Sequence, residues 1–201
     1  MSILTEPLPE ALDILGTVYP IHWDHRTMLR IDELLTEELS DDERGAEILT
    51  LFYGEIPDDV ETTTEAMIWF FRCGKGEKEE TEGGKDSAPV RPDFSYQLDA
   101  DLIYAAFLDQ YGVDLATEDL HWWKFRALFD ALKPDHVFSE VRKCRSIRIT
   151  RDMTPEQKKY YKAMKKLYAL PRPEQQEIDD VTAALMGDGN VMGVLYGSED
   201  R

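Results

Sequence analysis

Apolar residues recur at intervals of three and four along most of the chain, which is the pattern of helices with one buried face. Met28, Ile31 and Leu35, for example, alternate with the acidic residues Glu33 and Glu37. The fold class predicted is therefore mainly α, as a compact multi-helix domain over residues 3–171. Its predicted helices cover about residues 25–39, 41–53, 57–73, 99–111, 117–132, 136–147 and 154–170.

One segment near the start of the chain departs from this helical period. Residues 11–23, ALDILGTVYPIHW, contain two short apolar runs broken at Gly16-Thr17, with β-branched and aromatic residues around Pro20. Such a pattern is typical of strands joined by a tight turn. The sequence therefore predicts a small N-terminal β-hairpin as the only strand pair.

Capping signals set several helix boundaries. Residues 40–43, SDDE, and residues 154–157, TPEQ, are capping boxes, and the second has proline at the first helical position. Gly54 is placed to end the second helix, and Pro57 is placed in the first turn of the third. These signals predict helices that begin at residues 41, 57 and about 154.

Two segments are too polar to form a packed core. Residues 75–92, KGEKEETEGGKDSAPVRP, combine glycine, proline, serine and charges, and predict a disordered acidic loop in the middle of the chain. Residues 174–201 are acidic and rich in glycine, and predict a flexible tail in which only residues 181–186 favour a short helix.

Composition excludes some classes of protein and some compartments. The chain has 201 residues, of which 42% are apolar, and this is enough for an ordinary core. No segment has the length or the flanks of a signal peptide or a membrane span. We therefore expect a protein of the cytoplasm, with no membrane partner.

Charge is distributed unevenly along the chain. The net charge is −18, which disfavours DNA binding by the whole surface. Residues 1–132 carry 30 acidic and 10 basic side chains (net −20), residues 133–173 carry 4 acidic and 12 basic (net +8), and residues 174–201 have a net charge of −6. The basic segment could contact an acidic partner, a nucleic acid or the acidic surface of another copy, or be a solvated face balanced by the chain's own acidic helices.

Helix 154–170 is the most clearly two-faced of the predicted helices. Aromatic and apolar residues share one side (Tyr160, Tyr161, Ala163, Met164, Leu167, Tyr168), and lysines occupy the other (Lys158, Lys159, Lys162, Lys165, Lys166). Tyrosine and methionine suit an adaptable apolar contact. The candidate contact with a client protein or with a second copy consists of Tyr160, Tyr161, Met164, Leu167, Tyr168, Lys158, Lys162 and Lys165.

Two other segments supply candidate core residues. Segment 117–132 is apolar on most of its circumference and is therefore predicted to be the buried central helix. Its predicted core residues are Leu120, Trp122, Trp123, Phe125, Leu128 and Phe129. Predicted helix 99–111 also has an apolar side, which consists of Ile103, Tyr104, Phe107, Leu108 and Tyr111.

Few residues suggest catalytic or metal chemistry. His22, Asp24 and His25 could in principle hold a metal ion, but Asp24 stands where a helix N-cap belongs, and this spacing does not by itself bring the three side chains together. His121, beside two tryptophans, is typical of a hydrogen-bonded core histidine rather than a catalytic one.

No nucleotide, zinc or nucleophile motif accompanies these residues. Cys73 and Cys144 stand alone and are expected to be reduced thiols. We therefore predict a protein that is not an enzyme and has no cofactor or metal.

Several longer stretches resemble a family of bacteriophage proteins named for gene product fifteen of a Listeria phage. The most specific are LHWWKFRALF (120–129) and YQLDADLIYAAFLDQYGVDL (96–115). Further matching stretches are LTEPLPEALDILGTVYPIHWDHRT (4–27), FFRCGK (70–75), FSEVRKCRSIRI (138–149) and MTPEQKKYYKAMKKLYALP (153–171). Together they cover most of residues 3–171. The resemblance supplies no catalytic residues.

This resemblance implies a product of the tail-morphogenesis genes of a long-tailed, Listeria-type phage or prophage. Proteins in that position look like tail assembly chaperones, which coat the tape-measure protein until the tail tube forms. The implied partners are the tape-measure protein, other tail chaperone products and further copies of this chain. The alternatives are a structural tail component retained in the virion and a regulatory or nucleic-acid-binding protein that uses residues 133–173. The LHWWKFRALF segment is compatible with a core helix, which we favour, or with a docking surface.

Overall fold

The computed structural model describes residues 3–75 and 92–171. The predicted loop, except for its two end residues, and the predicted tail with its short helix lie outside the described residues. The described part is mainly helical with a small antiparallel hairpin, which confirms the predicted fold class. No helix in it is long and apolar enough to cross a membrane. Its elements are β1 (Ala11–Ile14), β2 (Thr17–Pro20), α1 (His25–Leu34), α2 (Asp41–Tyr53), α3 (Val60–Phe71), α4 (Ala100–Tyr111), α5 (Trp122–Asp130), α6 (Val137–Ser146) and α7 (Pro155–Leu167).

The described residues form two compact units, whereas the sequence predicted one domain over 3–171. The first unit comprises residues 3–75 and 119–126, and the second comprises residues 92–118 and 127–171. Hydrophobic periodicity shows which face of a segment is apolar and not which segments pack together, so it contains no signal for this division.

The hairpin is present, but its turn lies one residue earlier than predicted. Ile14 pairs with Thr17, so the two turn residues are Leu15 and Gly16. Both have positive φ angles, 53° and 86°, as the favoured two-residue hairpin turn requires. The Asp13 carboxylate accepts a hydrogen bond from the Gly16 amide at 3.0 Å and so fixes the turn.

Helix α1 ends at Leu34, five residues before the predicted end at residue 39. The Arg44 guanidinium donates hydrogen bonds to the carbonyl oxygens of Glu37 and Leu39, at 3.1 and 3.0 Å. The Arg44 side chain thus supplies donors for two carbonyl oxygens in the turn between α1 and α2, which in a continued helix would accept from backbone amides. The apolar period therefore continues past the point where the helix stops.

Helix α2 has the predicted bounds, and its predicted caps are present. The Ser40 hydroxyl accepts a hydrogen bond from the Glu43 amide, and the Glu43 carboxylate accepts one from the Ser40 amide. Hydrogen bonds from Ser40 hold the pKa of Glu43 below its ordinary value. Gly54 ends the helix with φ of 83°, which is the left-handed cap predicted from the sequence.

The predicted start of the third helix is wrong by three residues. Helix α3 begins at Val60, and the carboxylate of Asp59 caps it by accepting a hydrogen bond from the Thr62 amide at 3.1 Å. Pro57 is buried before the helix rather than in its first turn. Acidic residues are favourable both as caps and in first turns, so the sequence does not distinguish the two placements.

The predicted start of the fifth helix is also wrong, because α5 begins at Trp122 rather than near residue 117. The backbone before it pairs with another segment: the His25 amide donates to the Leu120 carbonyl at 2.9 Å, and the Trp122 amide donates to the Trp23 carbonyl at 2.8 Å. Extended pairing therefore replaces helix in this stretch. Helix α5 also ends at Asp130, two residues early.

The remaining helices agree more closely with the sequence. Helices α4 and α6 begin and end within one residue of their predicted bounds. Helix α7 has the predicted capping box and first-position proline, but it ends at Leu167 rather than residue 170. Tyr168 closes its last turn, and its amide bonds to the Met164 carbonyl.

Each unit has its own apolar core. Large side chains that are almost fully buried in the first unit are Met28, Ile31, Leu34, Ile48, Phe52, Phe70, Trp122 and Phe125. Those in the second unit are Phe107, Phe129 and Phe138.

Candidate functional site

Helix α7 lies on the surface of the second unit, and none of its residues is buried. Its first turn is fixed by the Thr154–Gln157 capping box, in which the Gln157 side chain accepts from the Thr154 amide at 2.9 Å. Pro155 at the first helical position is preorganised for the helical backbone. The helix is therefore stabilised by its own capping residues, and only one of its sides packs against the rest of the unit.

The side of α7 that contacts the rest of the second unit has a mixed composition. Tyr161, Met164, Lys165 and Tyr168 are half-buried and follow one another at intervals of three, one and three residues. The Lys165 ammonium donates a hydrogen bond to the Arg145 carbonyl at 2.6 Å. A lysine predicted on the polar side thus helps to attach the helix.

The part of the apolar side of α7 that the packed face leaves uncovered presents its side chains to solvent. Tyr160 is 55% exposed, Leu167 is 66% exposed, and Ala163 between them is also exposed. We call these three residues the α7 stripe. Two exposed lysines, Lys159 and Lys166, run beside it, and exposed Lys162 lies further round the helix.

The eight predicted contact residues are therefore divided by the fold. The exposed members are Tyr160, Leu167 and Lys162, and the half-buried members are Tyr161, Met164, Tyr168, Lys158 and Lys165. The apolar residues do share half of the helix circumference, as predicted. The packed face, however, is centred on the border between the apolar and the basic sides, so half of the apolar side remains open.

A second apolar stripe lies on the exposed side of α4. Ile103 and Phe107 are buried, but Tyr104 is 37% exposed and Leu108 is 45% exposed. The apolar side predicted for this helix is therefore only partly buried. Almost the whole circumference of α4 is apolar, so periodicity alone could not select which part of it faces the core.

The exposed side of α4 also carries carboxylates. The exposed residues on this side are Asp101, Tyr104, Ala105, Leu108 and Asp109, and we call them the α4 stripe. The side chain of Asp109 is 79% exposed, and its carboxylate lies 3.9 Å from His136.

An ion pair fixes α4, α6 and the end of α7 within the second unit. The Arg145 guanidinium donates two hydrogen bonds to the Asp99 carboxylate, at 2.6 and 2.9 Å, and further ones to the carbonyls of Asp93 and Tyr168. Asp99 also accepts from the Ser95 amide at 3.0 Å. The side chains of Asp99 and Arg145 are only 4% and 12% exposed. This pair positions the α7 stripe.

Arg142 has a similar internal role one turn earlier in α6. It forms an ion pair with Asp93 at 3.1 Å, and its guanidinium lies 4.9 Å from the ring centre of Phe94. Arg142 and Arg145 both belong to the basic segment 133–173 and are included in its net charge of +8. A signal for their internal role exists, because Phe138, Val141 and Arg145 have the spacing of one helical face.

The histidines and the aspartate considered for metal binding are held apart by other hydrogen bonds. His22 bonds through Nδ1 to the Leu51 carbonyl at 2.6 Å, and His25 bonds to the Leu120 carbonyl at 3.3 Å. Asp24 caps α1. Although burial opposes this, hydrogen bonds from Thr27 and the Arg26 amide lower the pKa of Asp24. Within residues 3–75 and 92–171, no three His, Cys, Asp or Glu side chains are placed to hold a metal ion.

Both ring nitrogens of His121 have partners in the first unit. Its Nδ1 accepts from the Trp123 amide at 3.1 Å, so Nε2 carries the proton and donates to the Pro9 carbonyl at 3.1 Å. Burial lowers the pKa of His121. The geometry is that of a neutral, structural histidine.

The tryptophans of the LHWWKFRALF segment lie in the core of the first unit. Trp122 and Trp123 are 0% and 4% exposed, and their indole nitrogens donate to the carbonyls of Phe71 and Phe70, at 2.9 and 2.8 Å. Gly74 lies against Trp123 and Trp69 with φ of 75°, and a Cβ there would lie 2.9 Å from Trp123 Cη2. Among the other predicted core residues, Phe125 and Phe129 are buried, and Leu120 and Leu128 are half-buried.

Asp32 gives the first unit a pH-dependent stability. Burial raises the pKa of its carboxyl to about 6, against the opposing charge of Arg126. Because this value lies above the unfolded one of 3.8, the carboxyl favours the folded state below pH 4, and this contribution is lost as the pH rises through 6. An Asp32→Asn variant should gain about 3 kcal/mol of unfolding free energy at pH 8 and almost none at pH 4.

This gain follows from the pKa shift alone, because the shifted value already includes the attraction of Arg126. Urea unfolding at the two pH values measures it, with Glu47→Gln on the exposed side of α2 as the matched control. Equal effects of Asp32→Asn at pH 4 and pH 8 would contradict the assignment.

Comparison with known families identifies the chain. Residues 4–170 match the family described as Bacteriophage Gp15 protein. The chain belongs to this family. The match includes both units and every helix of the described residues. No curated protein and no solved structure matches the chain.

Proposed function

We propose that this Gp15-family protein is a tail assembly chaperone that binds the tape-measure protein of its phage in the host cytoplasm and performs no catalysis. Membership of a bacteriophage family supports the phage setting. The observation that carries the proposal is the α7 stripe, in which Tyr160 and Leu167 are more than half exposed on a helix without a single buried residue. Apolar groups held open on a well-capped helix are typical of a protein-binding surface.

A chaperone of a long, helix-rich client requires apolar contacts and a means of keeping the complex soluble. An amphipathic client helix can lay its apolar face on a surface such as the α7 stripe. The net charge of −18 makes complexes of chaperone and client repel one another, and this repulsion opposes aggregation. The lysines beside the stripe favour a client segment with acidic flanks.

Co-expression with the tape-measure protein of the same phage tests the proposal. We expect the wild type to keep the client soluble and to co-purify with it. A Tyr160→Asp/Leu167→Asp variant should reduce the co-purified client at least about tenfold, since two charges would be buried against an apolar partner. Both positions are exposed, so the variant should melt like the wild type.

The matched control is Leu15→Asp/Val18→Asp, which places the same two charges at exposed apolar positions of the hairpin. It should retain the client. An insoluble client in the presence of folded wild-type protein contradicts the chaperone function. Mass spectrometry of purified virions then decides the alternative, because a structural tail component is present in them and an assembly chaperone is absent.

A further inference from the structure

Two exposed stripes in the second unit are complementary in charge and similar in length. Helix α4 has 12 residues and α7 has 13, so each is about 18–20 Å long. The α4 stripe combines Tyr104, Ala105 and Leu108 with two carboxylates, and the α7 stripe lies beside two exposed lysines. Each surface has the apolar strip and the charged flank that the other requires.

The charge difference extends beyond these side chains. Residues 92–118, which include α4, contain no basic and six acidic side chains, of which Asp93 and Asp99 are paired internally with arginines of α6. Helix α7 contains five lysines and one glutamate. Opposite charges at the rim of an apolar contact speed association and fix its register more than they increase its affinity.

We infer that α7 of one copy packs on α4 of a second copy, so that the protein self-associates through these two helices. The apolar stripes face one another, with Tyr160 and Leu167 against Tyr104 and Leu108. Lys159 and Lys166 lie opposite the carboxylates of the α4 stripe. Within one chain both stripes remain exposed, so the α4 and α7 stripes do not cover each other intramolecularly.

A second copy is the occupant whose exposed surface offers the matching apolar strip and the opposite charge. A nucleic acid would match the lysines but not the exposed tyrosine and leucine beside them. The α7 stripe is also the surface proposed for the client, so a client and a second copy compete for it. Self-association is measured in the purified protein without any client, so its failure is distinguishable from failure of the chaperone function.

Charge reversal on each stripe, followed by mixing, tests the contact. The α7 variant is Lys159→Glu/Lys166→Glu, and the α4 variant is Asp101→Lys/Asp109→Lys. Sedimentation velocity should show concentration-dependent self-association of the wild type that weakens in high salt. Each variant alone should have a dissociation constant raised at least about tenfold, because like charges then face each other.

The mixture of the two variants distinguishes a specific contact from general charge effects. In the mixture, the acidic α7 of the first variant meets the basic α4 of the second. The wild-type α7 of the second variant likewise meets the wild-type α4 of the first. Both contacts join opposite charges, so association should return to near the wild-type strength. Circular dichroism melting of each variant verifies that it is folded. A wild type that stays monomeric at its highest soluble concentration, or a mixture that stays monomeric, overturns the inference.

Discussion

Replacing Arg145 with methionine is expected to lower the free energy of unfolding by about 3–5 kcal/mol, the cost of removing one partner from a buried ion pair. Asp99 would keep the Ser95 amide but lose two charge-assisted hydrogen bonds, while its side chain is only 4% exposed. The carbonyl of Tyr168 would lose its donor at the end of α7. Chemical denaturation followed by circular dichroism measures the loss.

Two further variants separate the buried charge from the lost packing. Arg142→Met in the same helix removes an ion pair whose side chains are 31% and 27% exposed, and should cost about 1 kcal/mol. The double variant Asp99→Leu/Arg145→Met removes both buried charges and should recover part of the stability lost in the single variant. An Arg145→Met protein within 1 kcal/mol of the wild type would show that the pair does not hold the second unit together.

Replacing Trp122 with alanine is expected to cost about 3–5 kcal/mol of unfolding free energy, as is usual when a large buried aromatic residue is removed. Its side chain is fully buried, and its ring lies 5.2 Å from that of Phe71 and 5.5 Å from that of Phe125. The substitution also leaves the buried Phe71 carbonyl without its indole donor. Urea denaturation at constant pH is the measurement.

The controls test whether this segment is core or a docking surface. Trp122→Phe keeps most of the apolar volume and loses mainly the hydrogen bond, so it should cost less than the alanine variant. Lys124→Ala, two residues along the same helix but exposed, should change stability by less than about 0.5 kcal/mol. If Trp122→Ala unfolded like the wild type while client binding disappeared, the segment would be a docking surface instead.

Local signals predicted those elements whose ends are determined by their own residues. The capping box at Ser40 and Glu43, with Gly54 at the other end, gives α2 its bounds without help from distant residues. The errors occur where a distant residue intervenes. Arg44 stabilises the turn after α1, and the backbone of Leu120 pairs with that of His25 before α5.

The candidate site was predicted only in part. The capped, two-faced helix α7 follows from its sequence, but the exposure of Tyr160 and Leu167 does not. Neither does the α4 stripe, because the helix is apolar almost all round and only packing shows that Tyr104 and Leu108 face solvent. The number of apolar positions exceeds what the second unit buries.

The sequence by itself determined the mainly helical fold class, the hairpin, most helix positions and the resemblance to a phage family, since period, caps and turns depend on near neighbours in the chain. Only the tertiary structure decided the two units, the internal role of Arg142 and Arg145, and the two open stripes. Those depend on which faces of different helices meet. That is a matter of shape and of hydrogen-bond partners across a unit, which the alternation of apolar and polar residues does not specify.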